Sequence, residues 1–366
     1  MKTYRIKKDD DKSIVEDQTV WMGIDVHKHQ FTVVIVDDEA ERHRETIPYG
    51  KMHLKGLLDR LPGCEIYAVY EAGAIGYQPL RWLRELGCQA FMTPPSLVPQ
   101  KPGDQVKTDR RDAQQLAEAL RADRLDAVYD LSDQAYADRE VVRSRKQLVE
   151  HRTDICQQIK SKLTYHGIEP PEDLNTNWTE PHLEWLESAP TGRFELDLVL
   201  AKLVETYRQL DRLIGEFETW IEAMAQTPRY REDVELLMTT PQVGLLTAMT
   251  FLVELQDVVG RFRTCEKLAG FLGLVPSESS SGGQTSKGSI TRAGNKRVRT
   301  SLIEAAWRVF PQDEQLSEVY YRIKHNRGDH GAQIAIVAVA RRLALAFRAM
   351  LRDRNGWRQQ QEASAQ

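Results

Sequence analysis

The chain has 366 residues, 41% of them hydrophobic and 28% charged, which is enough for two or three packed units and excludes global disorder. Its formal net charge of −4 excludes a uniformly basic nucleic-acid-binding protein, so contacts with nucleic acid would have to come from local basic stretches. No segment approaches the ~20 apolar residues of a membrane span, and the charged residues 1–12 lack the apolar region of a signal peptide, so we expect a cytoplasmic protein with no membrane partner.

Residues 19–130 have the pattern of an α/β domain, after a polar tail, residues 1–18, that we expect to be flexible. Apolar runs predict four strands, at residues 20–25, 30–36, 65–70 and 89–93, and the turn at residues 37–39 leads to a further predicted strand at 42–47. Helical patterns follow the third and fourth strands, at 52–61 and 76–86. Three consecutive strands followed by alternating helices and strands predict a mixed sheet with helices on its faces, which is the order of an RNase H-like fold.

Four carboxylates in this domain lie where the chain would hold them still. Asp25 ends the first predicted strand, and Glu71 follows the fourth. Asp109 and Asp112 open a predicted helix and, being three residues apart, share one face of it. Singly, each acid is explained as a strand end, a partner of a lysine or a charge favoured by the helix dipole. Together they predict an acidic cluster that holds two Mg²⁺ ions ~3.5–4 Å apart, with Mn²⁺ as the alternative metal.

Residues 131–230 predict a coiled-coil helical region. Two long amphipathic helices are predicted at 132–165 and 194–226, and the Pro- and Trp-rich residues 167–190 separate them. The apolar stripe of the second helix comprises Leu196, Leu200, Leu203, Tyr207, Leu210, Leu213 and Phe217. This near-heptad spacing is typical of a coiled coil.

Residues 231–352 predict a second, all-α compact domain. Its start resembles a helix-hairpin-helix, whose turn presents backbone amides to a phosphate, although Gln242 stands where the first glycine is usual. A Ser/Gly-rich loop follows, and its composition alone predicts a flexible linker. Further helices are predicted at residues 296–309, 315–326 and 332–352. Residues 353–366 are expected to form a frayed tail.

Basic residues cluster in two stretches despite the acidic total. The first follows the first long helix and comprises Arg139, Arg143, Arg145, Lys146, Arg152, Lys160 and Lys162. The second follows the Ser/Gly loop and comprises Lys287, Arg292, Lys296, Arg297, Arg299 and Arg308. Both are suited to the phosphate backbone of nucleic acid, with a solvated helix face as the alternative explanation for the first. The second adjoins the Ser/Gly loop, which favours a role in positioning a nucleic-acid strand.

Five sequence blocks give a more specific indication. They are Gly-Ile-Asp-Val-His-Lys, Tyr-Glu-Ala-Gly, Lys-Thr-Asp-Arg-Arg-Asp-Ala, Gly-Leu-Val-Pro-Ser-Glu-Ser-Ser-Ser-Gly-Gly and Gly-Ser-Ile-Thr-Arg-Ala-Gly-Asn. In these blocks the chain resembles, over residues 20–350, the DEDD insertion-sequence transposases related to the pilin-gene invertase. The resemblance implies a RuvC-like N-terminal domain, a coiled-coil insertion and a C-terminal transposase domain. It also implies that the metal ligands are Asp25, Glu71, Asp109 and Asp112.

The resemblance further implies a serine nucleophile directly before a glycine, which selects Ser281 among three adjacent serines and leaves Ser280 as the alternative. It implies donor and target DNA as substrates, together with a structured noncoding guide RNA, the bridge RNA, that pairs with both. We therefore expect a recombinase that cleaves DNA through Ser281, forms a transient phosphoserine link and religates the strands. Cutting two DNAs requires several active sites, so a homo-oligomer, either a dimer or a tetramer, is expected. The serine reaches the acids either within one chain or from a neighbouring subunit.

Two other functions fit the same residues. A RuvC-like, structure-selective endonuclease would use the four acids to activate water without a covalent link. A nucleic-acid-binding scaffold without catalytic activity would carry the acids as structural residues. Normal recombination by a Ser281→Ala variant would favour the nuclease, and normal cleavage by an Asp25→Asn variant would favour the scaffold.

Overall fold

The computed structural model describes residues 14–95, 98, 109–188, 191–281, 284–291, 293–326 and 328–359. The chain divides into two compact units, Met1–Asp130 and Leu131–Gln366. Each unit has its own hydrophobic core. Within the described ranges, none of the helices is both long and apolar enough to cross a lipid bilayer.

The first unit is built around a five-stranded sheet. Its elements are β1 (Thr19–Val26), β2 (Gln30–Val36), β3 (Glu41–Pro48), α1 (Lys51–Leu58), β4 (Glu65–Glu71), α2 (Gln78–Glu85), β5 (Gln89–Thr93) and α3 (Asp109–Arg121). The strand order is β3-β2-β1-β4-β5; β2 is antiparallel to both β1 and β3, and β4 is parallel to both β1 and β5. This mixed sheet with flanking helices confirms the predicted α/β class and fits an RNase H-like domain.

The sheet separates two packed faces. Val20, Met22 and Ile24 of β1 are fully buried in the core that also contains Leu54 of α1 and Leu80 of α2. Successive side chains of a strand point to opposite faces, so the intervening residues of β1 face the other side of the sheet. There α3 covers them and packs against β1, β2 and β4.

The predicted flexible tail at the start of the chain is wrong for its last residues. Ile14 and Val15 pack against the same core. The backbone N–H of Ile14 donates to the carbonyl oxygen of Arg60 at 2.8 Å, and that of Asp17 donates to Pro62 at 3.1 Å. Residues 1–13 lie outside the described residues.

The second unit is helical, within its described residues, except for one hairpin. Its elements are α4 (Asp133–His166), α5 (Glu180–Glu187), α6 (Phe194–Ala225), α7 (Arg231–Met238), α8 (Leu245–Leu255), α9 (Val258–Arg261), α10 (Cys265–Phe271), β6 (Pro276–Ser281), β7 (Gln284–Ile290), α11 (Lys296–Val309), α12 (Glu314–Asn326) and α13 (Gly331–Asp353). Its main core includes Phe251 of α8 and Phe347 of α13, whose rings meet edge to face at 5.2 Å.

The long helices α4 and α6 pack against each other, as their apolar spacing predicts. Val142 of α4 and Ile221 of α6 belong to the main core. Farther along the helices, Ile159 and Leu200 form a separate cluster with Leu186 of α5. α5 lies in the stretch that the sequence indicated only as a break. The two long helices are therefore continuous with the main core at one end and carry a smaller core at the other.

The predicted C-terminal tail is wrong at Trp357, which is 3% exposed and belongs to the main core. Its indole Nε1 donates to Asp313 Oδ2 at 3.0 Å, and its backbone N–H donates to Thr239 Oγ1 at 2.9 Å. The helical pattern of the sequence stops with α13. A single tryptophan buries ~150–250 Å², however, which is enough to hold the residues that follow the helix in place.

Candidate active site

The parallel pairing of β1 and β4 sets two of the predicted acids side by side. The register pairs Ile24 with Tyr70, so Asp25 and Glu71 are the next residues on neighbouring strands. Such strands lie ~4.8 Å apart. Because Ile24 and Tyr70 are buried in the core with α1 and α2, both acids belong to the opposite face of the sheet. Both acids are half-buried at the carboxyl ends of their strands.

α3 begins over this edge of the sheet. A Cβ at Gly23 would lie 2.0 Å from the carbonyl oxygen of Ala113 and 2.5 Å from the amide nitrogen of Ala117, so glycine is needed for this close approach. At the other end of the helix, Arg121 Nη1 donates to the carbonyl oxygen of Asp37 at 2.7 Å. Asp37 follows β2 beside the start of β1. The first turn of α3 therefore lies over the carboxyl ends of β1 and β4.

That first turn carries the other two predicted acids. Asp112 is half-buried and directly precedes Ala113. Asp109 lies three residues earlier, ~4.5 Å along the helix axis, and only its backbone is described. The structure thus brings Asp25, Glu71 and Asp112 to one edge of the sheet, with the backbone of Asp109 in the same helical turn. We refer to these four residues as the acidic edge.

The donor set of the acidic edge fits a divalent cation, because hard cations such as Mg²⁺ and Mn²⁺ prefer carboxylate oxygens. Among the side chains that the structure describes, which do not include that of Asp109, no group of three or more acids, histidines or cysteines is arranged to hold a metal ion. Rotation of the side chains on their common edge would be required to gather them around an ion.

His27 is a contact of the acidic edge that the sequence analysis left out. Its Nε2 lies 3.0 Å from Asp25 Oδ2, and its side chain is 47% exposed. With the proton on Nε2, the imidazole donates a hydrogen bond to this carboxylate and restricts its orientation. The available signal was its position two residues after Asp25, since residues i and i+2 of an extended chain share a face.

The flexible linker predicted from the composition of the Ser/Gly loop is wrong, because this segment forms an antiparallel hairpin. β6 and β7 pair from Pro276 with Ile290 to Ser281 with Gln284. We refer to this pair as the serine hairpin. Ser281 is the last residue of β6, at the hairpin tip, and Ser280 is one position farther from it. For residues 278–281 and 284–287 the structure describes the backbone and not the side chains.

Two glycines close the base of the serine hairpin. Gly273 and Gly294 have φ values of +63° and +68°, in the left-handed region that favours glycine. A Cβ at Gly294 would lie 1.8 Å from the carbonyl oxygen of Phe271, and one at Gly273 would lie 2.4 Å from that of Ala293. The segments before and after the hairpin therefore approach each other more closely than any larger residue allows.

A buried carboxylate lies beside the end of the hairpin. Glu254 of α8 is 0% exposed. Arg143 donates from Nε and Nη2 to its two oxygens, each at 2.8 Å, and Asn295 Nδ2 donates to it at 3.0 Å. Arg139 and Arg297 lie 3.9 and 4.0 Å away. We refer to these five residues as the Glu254 cluster.

The electrostatics of this cluster favour the ionised acid. Burial alone would raise the pKa of Glu254, but hydrogen bonds from Arg143 and Asn295 and the charges of the nearby arginines outweigh burial and lower the pKa below its ordinary value. Glu254 was not among the residues predicted from the sequence. The signal for it was a single acid within the otherwise apolar run Phe-Leu-Val-Glu-Leu of α8.

The arginines of the first basic stretch, along α4, make contacts within their own unit. Arg139 donates to the carbonyl oxygens of Val253 and Glu254, and Arg143 belongs to the Glu254 cluster. Arg145 forms an ion pair with Glu218, and Arg152 forms one with Asp211. The lysines of the same stretch are Lys146 and Lys162, which are half-buried, and Lys160, which is exposed and lies 5.8 Å from the centre of the Trp178 ring. The structure thus gives the arginines a packing role.

The second basic stretch is divided at the start of α11. Lys296 and Arg297 are exposed. Arg299 is 8% exposed and donates from Nη1 to the carbonyl oxygens of Leu272 and Ala293 at 2.8 and 2.9 Å. Its predicted contact with nucleic acid is corrected accordingly, since its guanidinium joins the two ends of the hairpin. Of the other members of the stretch, Arg308 is exposed. Only the backbone of Lys287 is described, and Arg292 lies outside the described residues.

Comparison with known proteins identifies both units. The DEDD_Tnp_IS110 transposase family matches residues 22–167, which contain all four acids of the acidic edge. The transposase IS116/IS110/IS902 family matches residues 234–322, which contain Glu254 and the serine hairpin.

Individual transposases are similar over most of the chain. A protein of Sinorhizobium fredii named as transposase y4qE is 35% identical over 306 residues, which are 81% of this chain and 73% of the relative. The transposase for insertion sequence element IS1533 of Leptospira borgpetersenii is 27% identical over 246 residues, 65% of this chain and 70% of its own length. The transposase for IS1328 of Yersinia enterocolitica is 25% identical over 333 residues, 88% and 94% of the two chains. The chain belongs to the IS110 family of DEDD insertion-sequence transposases, enzymes that cleave and rejoin DNA.

Proposed function

We propose that this transposase cuts and rejoins donor and target DNA with Ser281 as the nucleophile and with the acidic edge as its metal site. The DEDD transposase family implies dependence on a divalent metal. We assign this metal as Mg²⁺, bound as two ions by Asp25, Glu71, Asp109 and Asp112. The observation that carries the proposal is the register of β1 with β4, which sets Asp25 beside Glu71 under the acidic start of α3.

In the proposed reaction the hydroxyl oxygen of Ser281 attacks a phosphorus atom of the DNA backbone. A bond from Oγ to phosphorus forms while the bond from phosphorus to one deoxyribose oxygen breaks. The proton that the serine loses balances the proton that the released strand end gains. Attack of a strand-end hydroxyl on the phosphoserine then restores a phosphodiester, so the exchange conserves bonds and needs no external energy source. A bound divalent cation supplies positive charge that stabilises the oxygens as negative charge develops on them.

DNA would be positioned by its backbone next to the serine hairpin. Lys296 and Arg297 are exposed at the start of α11, six and seven residues after β7 ends at Ile290. We also assign a phosphate contact to the turn between α7 and α8, as a helix-hairpin-helix. Gln242 in this turn has φ +61°, the left-handed conformation that the usual glycine adopts, so the substitution is compatible with such a turn. Guidance by a bridge RNA would leave the protein with backbone contacts and little base readout.

The proposed assembly is a dimer or tetramer, because donor and target must be cut together. The serine would act within its own chain or on a neighbouring subunit. We further assign α4 and α6 as a coiled coil, on the basis of the near-heptad stripe that includes Leu200 and Tyr207, both buried in the cluster with α5.

A second function is favoured by one observation. All four acids lie in the first unit, whereas Ser281 lies in the second. A RuvC-like nuclease that activates water would therefore need only the first unit for its chemistry. In that case cleavage would proceed without any covalent attachment of protein to DNA.

The two functions are separated by a denaturing gel of the protein incubated with labelled DNA, bridge RNA and Mg²⁺. We expect a protein–DNA adduct with the wild type and with Ser280→Ala, and none with Ser281→Ala. Loss of the adduct in Ser280→Ala alone would transfer the assignment to Ser280. Cleavage by the wild type without an adduct would support the nuclease. Recombination without the RNA would contradict the proposed guidance.

A further inference from the structure

Besides Arg299, the side chain of Asn295 connects the base of the serine hairpin to the helices α8 and α11. Its backbone N–H donates to the carbonyl oxygen of Phe271 at 3.1 Å. Its Oδ1 accepts from the backbone N–H of Val298 at 3.1 Å, which caps α11, and its Nδ2 donates to Glu254. Both ends of the amide are thus engaged. The chain that leaves β7 therefore enters α11 through a residue whose side chain contacts Glu254.

Glu254 in turn fixes Asn295 to α4 and α8. The two parallel hydrogen bonds from Arg143 form a fork that constrains both the distance and the orientation of the carboxylate. The hairpin base is also tied across its strands, because the backbone N–H of Thr291 donates to the carbonyl oxygen of Val275 at 2.9 Å. A chain of direct contacts therefore runs from α4 through Glu254 and Asn295 to the hairpin.

Stability alone gives little reason for such a cluster. Desolvating an ion pair offsets most of its attraction, and well-packed apolar residues are often as stable in its place. Glu254 is flanked in α8 by the buried apolar residues Phe251, Leu252, Val253 and Leu255. Three guanidinium groups surround its single carboxylate. The cluster holds Asn295 in one fixed orientation, which apolar packing would not do.

The length of the hairpin makes this orientation important for its tip. The six residues of β6 span ~20 Å, so a rotation of ~10° at the base moves the tip by ~3 Å. A misplacement of ~1 Å at a reacting group lowers a rate by ~100-fold. The residues of the two strands are mostly polar, so their sequence supplies little apolar surface that would correct such a rotation.

We propose that Glu254 is a positioning residue for the serine hairpin. It holds Asn295 against Arg143, so that the tip of the hairpin presents its serine in one direction. The effect on catalysis rests on the proposed function of Ser281, whereas the effect on the hairpin does not.

The hold on the hairpin is tested by hydrogen exchange of the full-length protein without DNA. Glu254→Gln keeps the shape of the side chain and removes its charge. Arg143→Lys keeps the charge and removes the fork. We expect both variants to accelerate the exchange of the amides of β6, β7 and Thr291 at least tenfold more than that of the amides of α13, which report the stability of the whole unit.

The matched control is Asp233→Asn, which removes the carboxylate partner of Arg354 elsewhere in the same unit. It is expected to leave exchange in the hairpin unchanged. Wild-type exchange of the hairpin amides in Glu254→Gln would overturn the proposal. Equal acceleration in the hairpin and in α13 would also overturn it, because the cluster would then serve only the stability of the unit.

The catalytic consequence is tested by the single-turnover rate of protein–DNA adduct formation at saturating DNA. We expect Glu254→Gln and Arg143→Lys to lower this rate constant at least tenfold with the Kd for DNA within twofold of wild type, and Asp233→Asn to change neither. An unchanged rate constant, or a loss confined to Kd, would overturn the positioning role. Failure of the wild type to form any adduct would instead refute the serine assignment, and the exchange experiment would still decide whether Glu254 holds the hairpin.

Discussion

The acidic edge and the serine hairpin are held in place by different forces. Asp25 follows three fully buried residues of β1, and close packing of α3 on Gly23 sets the position of Asp112. The hairpin strands are mostly polar, and their base depends on glycines, backbone hydrogen bonds and the Glu254 cluster. The proposed metal ligands therefore depend on apolar packing, whereas the proposed presentation of the serine depends on a charge that is buried and paired. The acidic edge and the serine hairpin should respond to different perturbations.

The largest effect is expected for Asp25→Asn, which removes one negative charge from the acidic edge with little change in shape. Loss of a metal ligand removes several kcal/mol of charge stabilisation, so strand cleavage should fall ~1,000-fold or more. Asp59→Asn is the matched control, because Asp59 is an exposed acid of the same unit that pairs with Lys55. The rates are measured on labelled DNA with the melting temperatures of both variants as a check on folding. Wild-type cleavage by Asp25→Asn would contradict the metal site.

The second-largest effect is a pH-dependent loss of stability in Glu254→Gln. Because the pKa of Glu254 is lowered in the folded protein, its stabilising contribution is complete above the ordinary value of 4.5 and is lost as pH falls through the lowered pKa. Leaving Arg143 without its buried partner costs ~3 kcal/mol. The free energy of unfolding of the wild type should therefore exceed that of Glu254→Gln by about this amount at pH 7. The difference should shrink below pH 4.5, as measured by urea unfolding. A difference that stays constant down to pH 3 would contradict an ionised Glu254.

Part of the fold and part of the acidic edge could be predicted from the sequence. Apolar runs and helical periodicity predicted β1, β2, β4, β5 and the long helices, because each buries apolar residues, whereas the mostly exposed β3 was predicted from the turn that precedes it. The same pattern located Asp25 and Glu71 at strand ends, although their adjacency follows from a register that one sequence does not specify. The serine hairpin was missed because Ser279 and Ser280 carry no apolar alternation. Glu254 and Trp357 were missed because their partners are distant in sequence.

A third, intermediate effect tests the apolar basis of the acidic edge. Gly23→Ala forces α3 away from β1, since the new Cβ would lie 2.0 Å from Ala113 O. Overpacking of this kind costs ~1–3 kcal/mol, and displacement of α3 should also slow cleavage. Gly56→Ala is the control, because no atom lies within 4 Å of a Cβ there. In the helix α1 it should stabilise the unit by ~0.5–1 kcal/mol. Urea unfolding measures both, and equal stability of Gly23→Ala and wild type would show that α3 is free to move.

The smallest effect concerns the DNA side of the serine hairpin, where Lys296 is exposed at the start of α11. A lysine that contacts a backbone phosphate contributes about one unit to the slope of log K against log salt concentration. Lys296→Gln should therefore weaken binding to every DNA sequence alike and reduce that slope by about one. Lys202→Gln, at a lysine of α6 that is 71% exposed, should leave the slope unchanged. Fluorescence anisotropy at several salt concentrations gives both values. An unchanged slope in Lys296→Gln would place the DNA backbone elsewhere, so that the serine hairpin would meet its substrate without a phosphate contact from Lys296 of the adjoining helix.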